Sequence, residues 1–449
     1  MGASVVLIEK GKMGGDCLNT GCVPSKALLA AAKVGHIIQE AGRFGWSTSV
    51  HTLDFKKMHQ HINDVIATIA PHDSVERFEG LGVTVIQEEA KFQDEKTMET
   101  LSHVIQAKRY ILATGSIPFI PPIDGLDSIP YFTNESIFEL QDLPEHLVVI
   151  GGGPIGIEIS QAFRRFGSRV TVLEAALALP KDDPEIVGQL KEILVQEGII
   201  IHEHVRIISC SKTHTGVLIT SRDAQNKPCD VIASHVLVAT GRRPNIKNLH
   251  LEAAGIEYTQ KGITVDAGLR TSNSRVYALG DCVGGYQFTH VASYHAGLAI
   301  RNSIFRLRSK VDTRAIPWVT YTDPELAHVG FLESQLQSQN INYRALRLPF
   351  GGNDRAQAEG KTKGEIKVLV SPKGLVLGAT ILGNQAGELI YPWVMAIQNN
   401  LKISAITSSI APYPTLTELS KRVAGAFFTD KLFSPSMKGI VRFMMRITR

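Results

Sequence analysis

The sequence is poor in cysteine, with five in 449 residues. That is too few for the disulfide framework of a small secreted fold, so a close pair of thiols reads as catalytic or metal-binding. It also lacks a dominant charge. Its 47 basic residues stand against 43 acidic ones, a formal net of +4, with no basic block that would follow a phosphate backbone, so nucleic acid is not an expected partner. No apolar run reaches the ~18 residues of a membrane-spanning helix. The first apolar run, Val5 to Ile8, has no basic leader or small-residue cleavage site before it and ends in Glu9; it reads as an interior strand rather than a signal. A cytoplasmic chain of about three domains, at roughly 100–200 residues each, is the expectation.

What is present is a nucleotide-binding pattern that occurs twice. Leu147 to Ile150 form an apolar run, Gly151, Gly153 and Gly156 follow, Pro154 and Ile155 open a helical pattern, and Val170 to Leu173 lead into Glu174. This is the order strand, glycine loop, helix, strand, acid that a dinucleotide requires. The glycines let the backbone approach a pyrophosphate, the helix N-terminus offers free N–H groups, and the acid accepts from ribose hydroxyls. An acid at Glu174 repels a 2′-phosphate, which predicts NADH over NADPH; the plainer reading is that Glu174 merely ends a strand.

Gly2 to Glu9 superimpose on Gly167 to Glu174 in pattern, at a constant offset of 165 positions, each a glycine and an apolar run ending in an acid. The same spacing puts the counterpart of Gly151 before Met1, so the first unit is expected to lack its initial strand and phosphate loop. A start assigned too late, a fragment of a longer product, or loss of firm flavin binding would each account for this, and the first two are favoured. A second repeat, Tyr110 to Ser116 against Val236 to Arg242, runs a strand into a glycine turn in both units. Residues 117–144, rich in proline and turn formers, read as a connection. From Pro317 onward strand-like runs at Glu365 to Val370 and Leu375 to Leu382 mix with helical patterns in a separate α+β domain.

Cys17 and Cys22 lie in Gly14-Gly15-Asp16-Cys17-Leu18-Asn19-Thr20-Gly21-Cys22-Val23-Pro24-Ser25-Lys26. Pro24 suits a first helical turn and the alanine-rich run after it is a good helix former, which puts Cys22 near a helix N-terminus where the dipole favours thiolate. Within one helix the two sulfurs would diverge, so Cys17 is expected on a glycine-flexed entry segment. Two buried thiols, or half of a zinc site lacking its other ligands, remain the alternatives. Cys210, Cys229 and Cys282 read as buried structural thiols.

Taken in order, the GGDCLNTGCVPSK, GGGPIGIE, ATGRRPN, ALGDC and PTLTE segments resemble the class I pyridine nucleotide-disulfide oxidoreductases, the family of dihydrolipoamide dehydrogenase, glutathione reductase and mercuric reductase. The resemblance spans essentially the whole chain and is nearest to the mercuric-reductase-like branch. It implies an α/β protein with two Rossmann-like domains and a C-terminal α+β dimerisation domain. The FAD domain would be 1–146 with 272–315, the NAD domain 147–271, and the dimerisation domain 316–449. It further implies a homodimer in which electrons pass from NAD(P)H through FAD to a Cys17–Cys22 disulfide and on to a small acceptor. Cys22 would be the charge-transfer thiolate and Cys17 the thiol that meets substrate. Lys26 would lie near the flavin and pair with Glu158, although two exposed helix charges are the plainer reading. Glu9 would hold the adenosine ribose of FAD; Gly14, Gly15, Ala90, Thr114, Gly115, Ser116, Gly280 and Asp281 would line the rest of that cofactor. Val205 and Gly241 would complete the nicotinamide side.

The sequence departs from the family in two places. Where a disulfide reductase of this kind carries His-Pro-Thr-x-x-Glu, this chain has Tyr413-Pro414-Thr415-Leu416-Thr417-Glu418, and a phenol of reference pKa near 10 is a poor proton shuttle at neutral pH. That disfavours lipoamide or glutathione chemistry and favours a metal ion or an unusual acceptor. The chain nevertheless ends without the adjacent cysteine pair of true mercuric reductases. Its tail resembles tails of family members fused to, or encoded beside, permease-like membrane proteins, so a membrane-protein partner is one expectation. Lys438, Arg442, Arg446 and Arg449 alternate there with apolar residues, which suits a membrane surface, although a helix packed on the dimerisation domain is the favoured reading. The rival functions are a dihydrolipoamide dehydrogenase and a flavin-free remnant that only binds NAD or dimerises.

Overall fold

The computed structural model of the chain describes residues 2–47 and 52–447; Met1 and Arg449, used above, lie outside them. The chain divides into two compact units, Met1–Ala178 with Glu197–Val311, and Leu179–Gln196 with Asp312–Arg449.

In the first unit the glycine-bearing repeat forms as its pattern predicts. Strands Ile200–His202, Arg169–Leu173, His146–Ile150 and His235–Val238 lie side by side in that order, all parallel. Helix Pro154–Phe166 connects the two middle strands. Leu147, Val148 and Val149 are fully buried, the near-continuous apolar run of a parallel strand covered on both faces. The second copy is thinner. Val5–Ile8 pairs in parallel with Val83–Ile86, and Val276–Ala278 in parallel with Tyr110–Leu112. Corresponding backbone bonds repeat between the copies, with Glu9 N donating to Ile86 O at 3.0 Å and Glu174 N to His202 O at 2.8 Å.

One expectation is corrected here. Val5–Ile8 is a strand, but among the described residues no strand pairs with its other edge, and Val5 and Val6 are 45% and 43% exposed. An interior strand would bury them. Cys229 is also corrected: it is half-exposed, whereas Cys210 and Cys282 are buried as expected.

The second unit is built on a five-stranded antiparallel sheet in the order Pro317–Thr320, Glu325–Gly330, Val376–Gly383, Glu365–Val370, Arg344–Pro349. Trp393, Phe350, Val368 and Ile381 are fully buried in its core, and helix Glu418–Leu432 buries Leu419, Val423 and Ala424. Lys367 interrupts this apolar pattern near the middle of the strand Glu365–Val370 at 2% exposure. Its ammonium is satisfied by Asp183 at 2.7 Å, Glu185 at 3.1 Å and Glu333, because a buried cation persists only when paired. Asp183 precedes helix Pro184–Gln196 and accepts from Glu185 N at 3.1 Å, so the same carboxylate caps that helix and neutralises the lysine.

Candidate active site

Cys17 and Cys22 occupy two successive helices. Cys17 lies in the short helix Gly15–Asn19, Thr20 and Gly21 make the turn, and Cys22 is the first residue of helix Cys22–Glu40, with Pro24 in its first turn. The glycine-flexed entry segment expected to carry Cys17 is itself a short helical turn, entered through Gly14 at positive φ. A Cβ on Gly21 would come within 2.9 Å of Asp16 O, so only glycine fits the tight turn that joins the two cysteine-bearing helices.

Cys17 and Cys22 act on each other unequally, and this asymmetry sets their chemistry. Cys22 is held down to about 6, first by the neighbouring Cys17 thiol, against the cost of burial, and with help from the Thr289 hydroxyl and the Lys26 charge. Cys17 is pushed far up, first by Cys22 and then by burial. One sulfur is therefore a thiolate at neutral pH and the other a thiol. Cys22 Sγ lies 3.3 Å from Thr289 Oγ1, the first residue of helix Thr289–Ser303, which has no side-chain cap. Two helix N-termini converge on this one sulfur, the arrangement that favours negative charge.

Lys26 Nζ donates to Glu158 Oε2 at 2.9 Å, with Glu158 only 6% exposed. The pair is an ion pair joining helix Cys22–Glu40 to helix Pro154–Phe166, not two exposed charges. A second polar chain runs from Asp16, beside Cys17. Its carboxylate takes Arg242 Nη2 at 2.7 Å, Arg242 Nε donates to Ser116 Oγ at 2.8 Å, and Ser116 Oγ donates to Asp281 Oδ2 at 2.6 Å. Burial pushes the Asp281 carboxyl up.

At the glycine loop, Gly151 adopts φ +114°, and a Cβ there would approach Ala239 O to 2.4 Å. A Cβ on Gly153 would meet nothing within 4 Å, and helix Pro154–Phe166 starts without a side-chain cap. Its first N–H groups, those of Ile155 and Gly156 included, are open to a phosphate. Glu174 is held at this loop by Gly152 N at 2.6 Å and Ala176 N at 2.8 Å. Val205 is buried and its N–H donates to Glu174 O at 2.9 Å. These residues fit a dinucleotide.

On the flavin side, Glu9 accepts from Gly11 N at 2.8 Å, Gly14, Gly15, Gly115 and Gly280 take positive φ, and Ala90 packs on the core beneath Tyr110 and Leu112. The thiolate, the uncapped helix at Thr289 and the Lys26 charge suit a redox-active ring, although no glycine fingerprint precedes Val5–Ile8 among the described residues. In the second unit Tyr413 is 70% exposed, and its hydroxyl donates to Asp354 Oδ2 at 3.0 Å. That bond pushes the phenol up. Glu418 opens helix Glu418–Leu432. Among the described residues no cluster of His, Cys, Asp and Glu could hold a metal ion. No described helix is long and apolar enough to cross a membrane.

Three of these partners carry no sequence signal: Thr289 and Arg242, as a charge partner, in the first unit, and Asp354 in the second. Asp16 shows one only through its place beside Cys17.

The sequence pattern of the "Pyridine nucleotide-disulphide oxidoreductase" family matches residues 1–296, and that of the family's dimerisation domain matches residues 316–424. The chain belongs to this family. A mercuric reductase of Bacillus cereus is 36% identical over 439 residues, covering 96% of this chain and 68% of that protein. A dihydrolipoyl dehydrogenase of Geobacillus stearothermophilus is 34% identical over 433 residues, covering 94% and 91%. Among solved structures, the HOCl-induced flavoprotein disulfide reductase RclA of Escherichia coli, in a Cu(II) complex, aligns with a TM-score of 0.85 at 28% identity and covers 94% of each chain. LpdA of Mycobacterium tuberculosis aligns with a TM-score of 0.86 at 26% identity, covering 94% and 93%. The fold is that of a flavoprotein disulfide reductase with two nucleotide-binding domains and a C-terminal dimerisation domain. Members of the family are FAD-dependent enzymes that use NAD(P)H, and the dimerisation domain supports homodimer formation.

Proposed function

We propose that this oxidoreductase draws two electrons from NAD(P)H, NADH in preference, into a Cys17–Cys22 disulfide and passes them to a small acceptor, in the mercuric-reductase-like manner. The observation that carries this reading is the placement of Cys22 at the start of helix Cys22–Glu40, 3.3 Å from Thr289 Oγ1 at the start of a second helix, with its thiol held down to about 6. FAD supplies the relay between the two-electron hydride donor and sulfur. Two electrons and one proton break the S–S bond, leaving Cys22 as thiolate and Cys17 as thiol; the acceptor then takes both electrons and the disulfide re-forms. Lys26, paired with Glu158, places a positive charge at the thiolate. Glu174 holds the adenosine ribose of NADH beside the Gly151–Gly156 loop. Glu9, Ser116 and Asp281 serve the FAD side.

On this reading residues 1–146 with 272–315 form the FAD domain, 147–271 the NAD domain and 316–449 the dimerisation domain, and the setting is the reducing cytoplasm. On this reading Tyr413 and Glu418 would be contributed by the partner subunit to a shared site. The Tyr413 phenol, kept protonated by Asp354, is unsuited to the proton shuttling of dihydrolipoamide oxidation, which favours a soft metal ion or other small oxidant as acceptor.

The test starts with purified protein. Bound flavin colour, two new thiols on anaerobic addition of NADH, and loss of acceptor reduction in Cys22→Ser are expected. A Hg(II) assay beside a dihydrolipoamide assay separates the two branches. Colourless protein that gains no thiols assigns the chain to NAD binding and dimerisation alone, and acceptor reduction unchanged in Cys22→Ser removes the dithiol from the path.

A further inference from the structure

The C-terminal helix Pro435–Ile447 lies beyond the residues that match the family's dimerisation domain, which end at 424, and none of its residues is buried. It is therefore not the packed helix that one reading of the sequence expected. It is well formed: Ser434 Oγ accepts from Met437 N at 3.3 Å and Lys438 N donates to Ser434 O at 3.0 Å, which caps its first turn.

Its side chains are sorted by chemistry. Lys438, Arg442 and Arg446 recur every fourth residue, and at 3.6 residues per turn they share a stripe roughly 80° wide. Ile440, Val441, Phe443, Met444, Met445 and Ile447 fall outside that stripe, on an arc of roughly 200°, and are 48 to 68% exposed. Leu432 and Phe433, just before the helix, are 57% and 68% exposed. No acidic residue occurs from Lys431 to Ile447. A water-facing surface helix would mix both signs of charge and expose few large apolar groups. This one has an apolar arc bordered only by cations.

We infer that helix Pro435–Ile447 is a membrane-surface anchor that lies in the plane of an anionic bilayer, its apolar arc in the headgroup boundary and its lysine and arginines on lipid phosphates. Charge selects this occupant: with no acidic residue from Lys431 to Ile447, the cations bordering the apolar arc complement an anionic lipid surface. Length selects the orientation. Thirteen residues rise about 20 Å, short of the ~30 Å of a hydrocarbon core. The inference is independent of which acceptor the enzyme reduces.

The test uses the full-length protein and sedimentation with vesicles of 30% phosphatidylglycerol in phosphatidylcholine, against pure phosphatidylcholine. The protein is expected to sediment with the anionic vesicles at low salt and to be released at high salt. Each of Lys438→Gln, Arg442→Gln and Arg446→Gln is expected to weaken binding about fivefold. The double variant Ile440→Ser/Phe443→Ser, which keeps the charges, is expected to weaken it more than tenfold. Light scattering on protein lacking 435–449 is expected to show an unchanged dimer. Failure to sediment with anionic vesicles, or sedimentation that survives removal of 435–449, overturns the inference. So does conversion of the shortened protein to monomer, which would assign the apolar arc to a contact between copies.

Discussion

Thr114 and Thr240 make the same bond in mirrored directions. Thr114 Oγ1 donates to Asn245 O and Thr240 Oγ1 to Phe119 O, each at 2.7 Å. They are equivalent residues of the repeated Ala-Thr-Gly turn, and the reciprocity extends to the backbone, where Asn245 N donates to Gly115 O and Phe119 N to Gly241 O, both at 2.9 Å. Between them Ser116–Pro118 and Arg242–Pro244 pair antiparallel. The turns that close the two nucleotide units therefore clasp each other. Thr114→Val and Thr240→Val should each cost about 1 kcal/mol by leaving a carbonyl without its donor, seen as a lower Tm. The double variant should lose less than the sum, because one loosened end already frees the strand pair.

At the dithiol, the Thr289 hydroxyl is predicted to help keep Cys22 ionised. A group with a lowered thiol pKa reacts above that value and not below it. The rate of iodoacetamide alkylation of the reduced protein should thus rise with pH around 6 for Cys22, while Cys17 stays slow throughout. Thr289→Val should move this midpoint upward and Thr289→Ser should restore it. A midpoint that is the same in all three proteins would remove Thr289 from the account.

The sequence announced what is local. The glycine loop, the acid that ends the next strand, the Cys22 helix start and the repeated Ala-Thr-Gly turn are each legible because their physics acts within about 20 residues. Long-range partners were not legible. Thr289 reaches Cys22 across 267 residues, and Arg242 reaches Asp16 from the other nucleotide unit; no periodicity marks either. Lys367 is an outlier in an apolar strand, but two of the three carboxylates that satisfy it, Asp183 and Glu185, lie over 180 residues upstream. The half-exposure of Val5 and Val6 was illegible for a different reason: a continuous apolar run shows that a strand forms, not how much of the protein covers it.

Glu174 tests cofactor choice. Its carboxylate is fixed by Gly152 N and Ala176 N, so it cannot swing away from a 2′-phosphate without losing two charge-assisted bonds. Glu174→Ala should raise KM for NADH about tenfold, the loss of one ribose hydrogen bond to a charged group, and should narrow the preference over NADPH. The check is steady-state kinetics with both nucleotides. Equal efficiency of NADPH in the unaltered protein would contradict the reading.

Asp182 offers a prediction about pH and stability that involves no cofactor. It is 5% exposed, accepts from Trp318 Nε1 at 2.7 Å and sits next to Asp183. Burial pushes its carboxyl up to about 6 from an ordinary 3.8. The folded state then binds this proton more tightly than the unfolded chain does, so the contribution is favourable below about pH 4 and is lost as pH rises through about 6. At pH 8 the buried charge costs stability on the order of 2 kcal/mol. Asp182→Asn keeps an oxygen for Trp318 and removes the charge. Its Tm should exceed that of the parent at pH 8 and should approach it at pH 5, where the parent's Asp182 is protonated. A variant equally destabilised at both pH values would show that the carboxylate is held ionised by its neighbours after all.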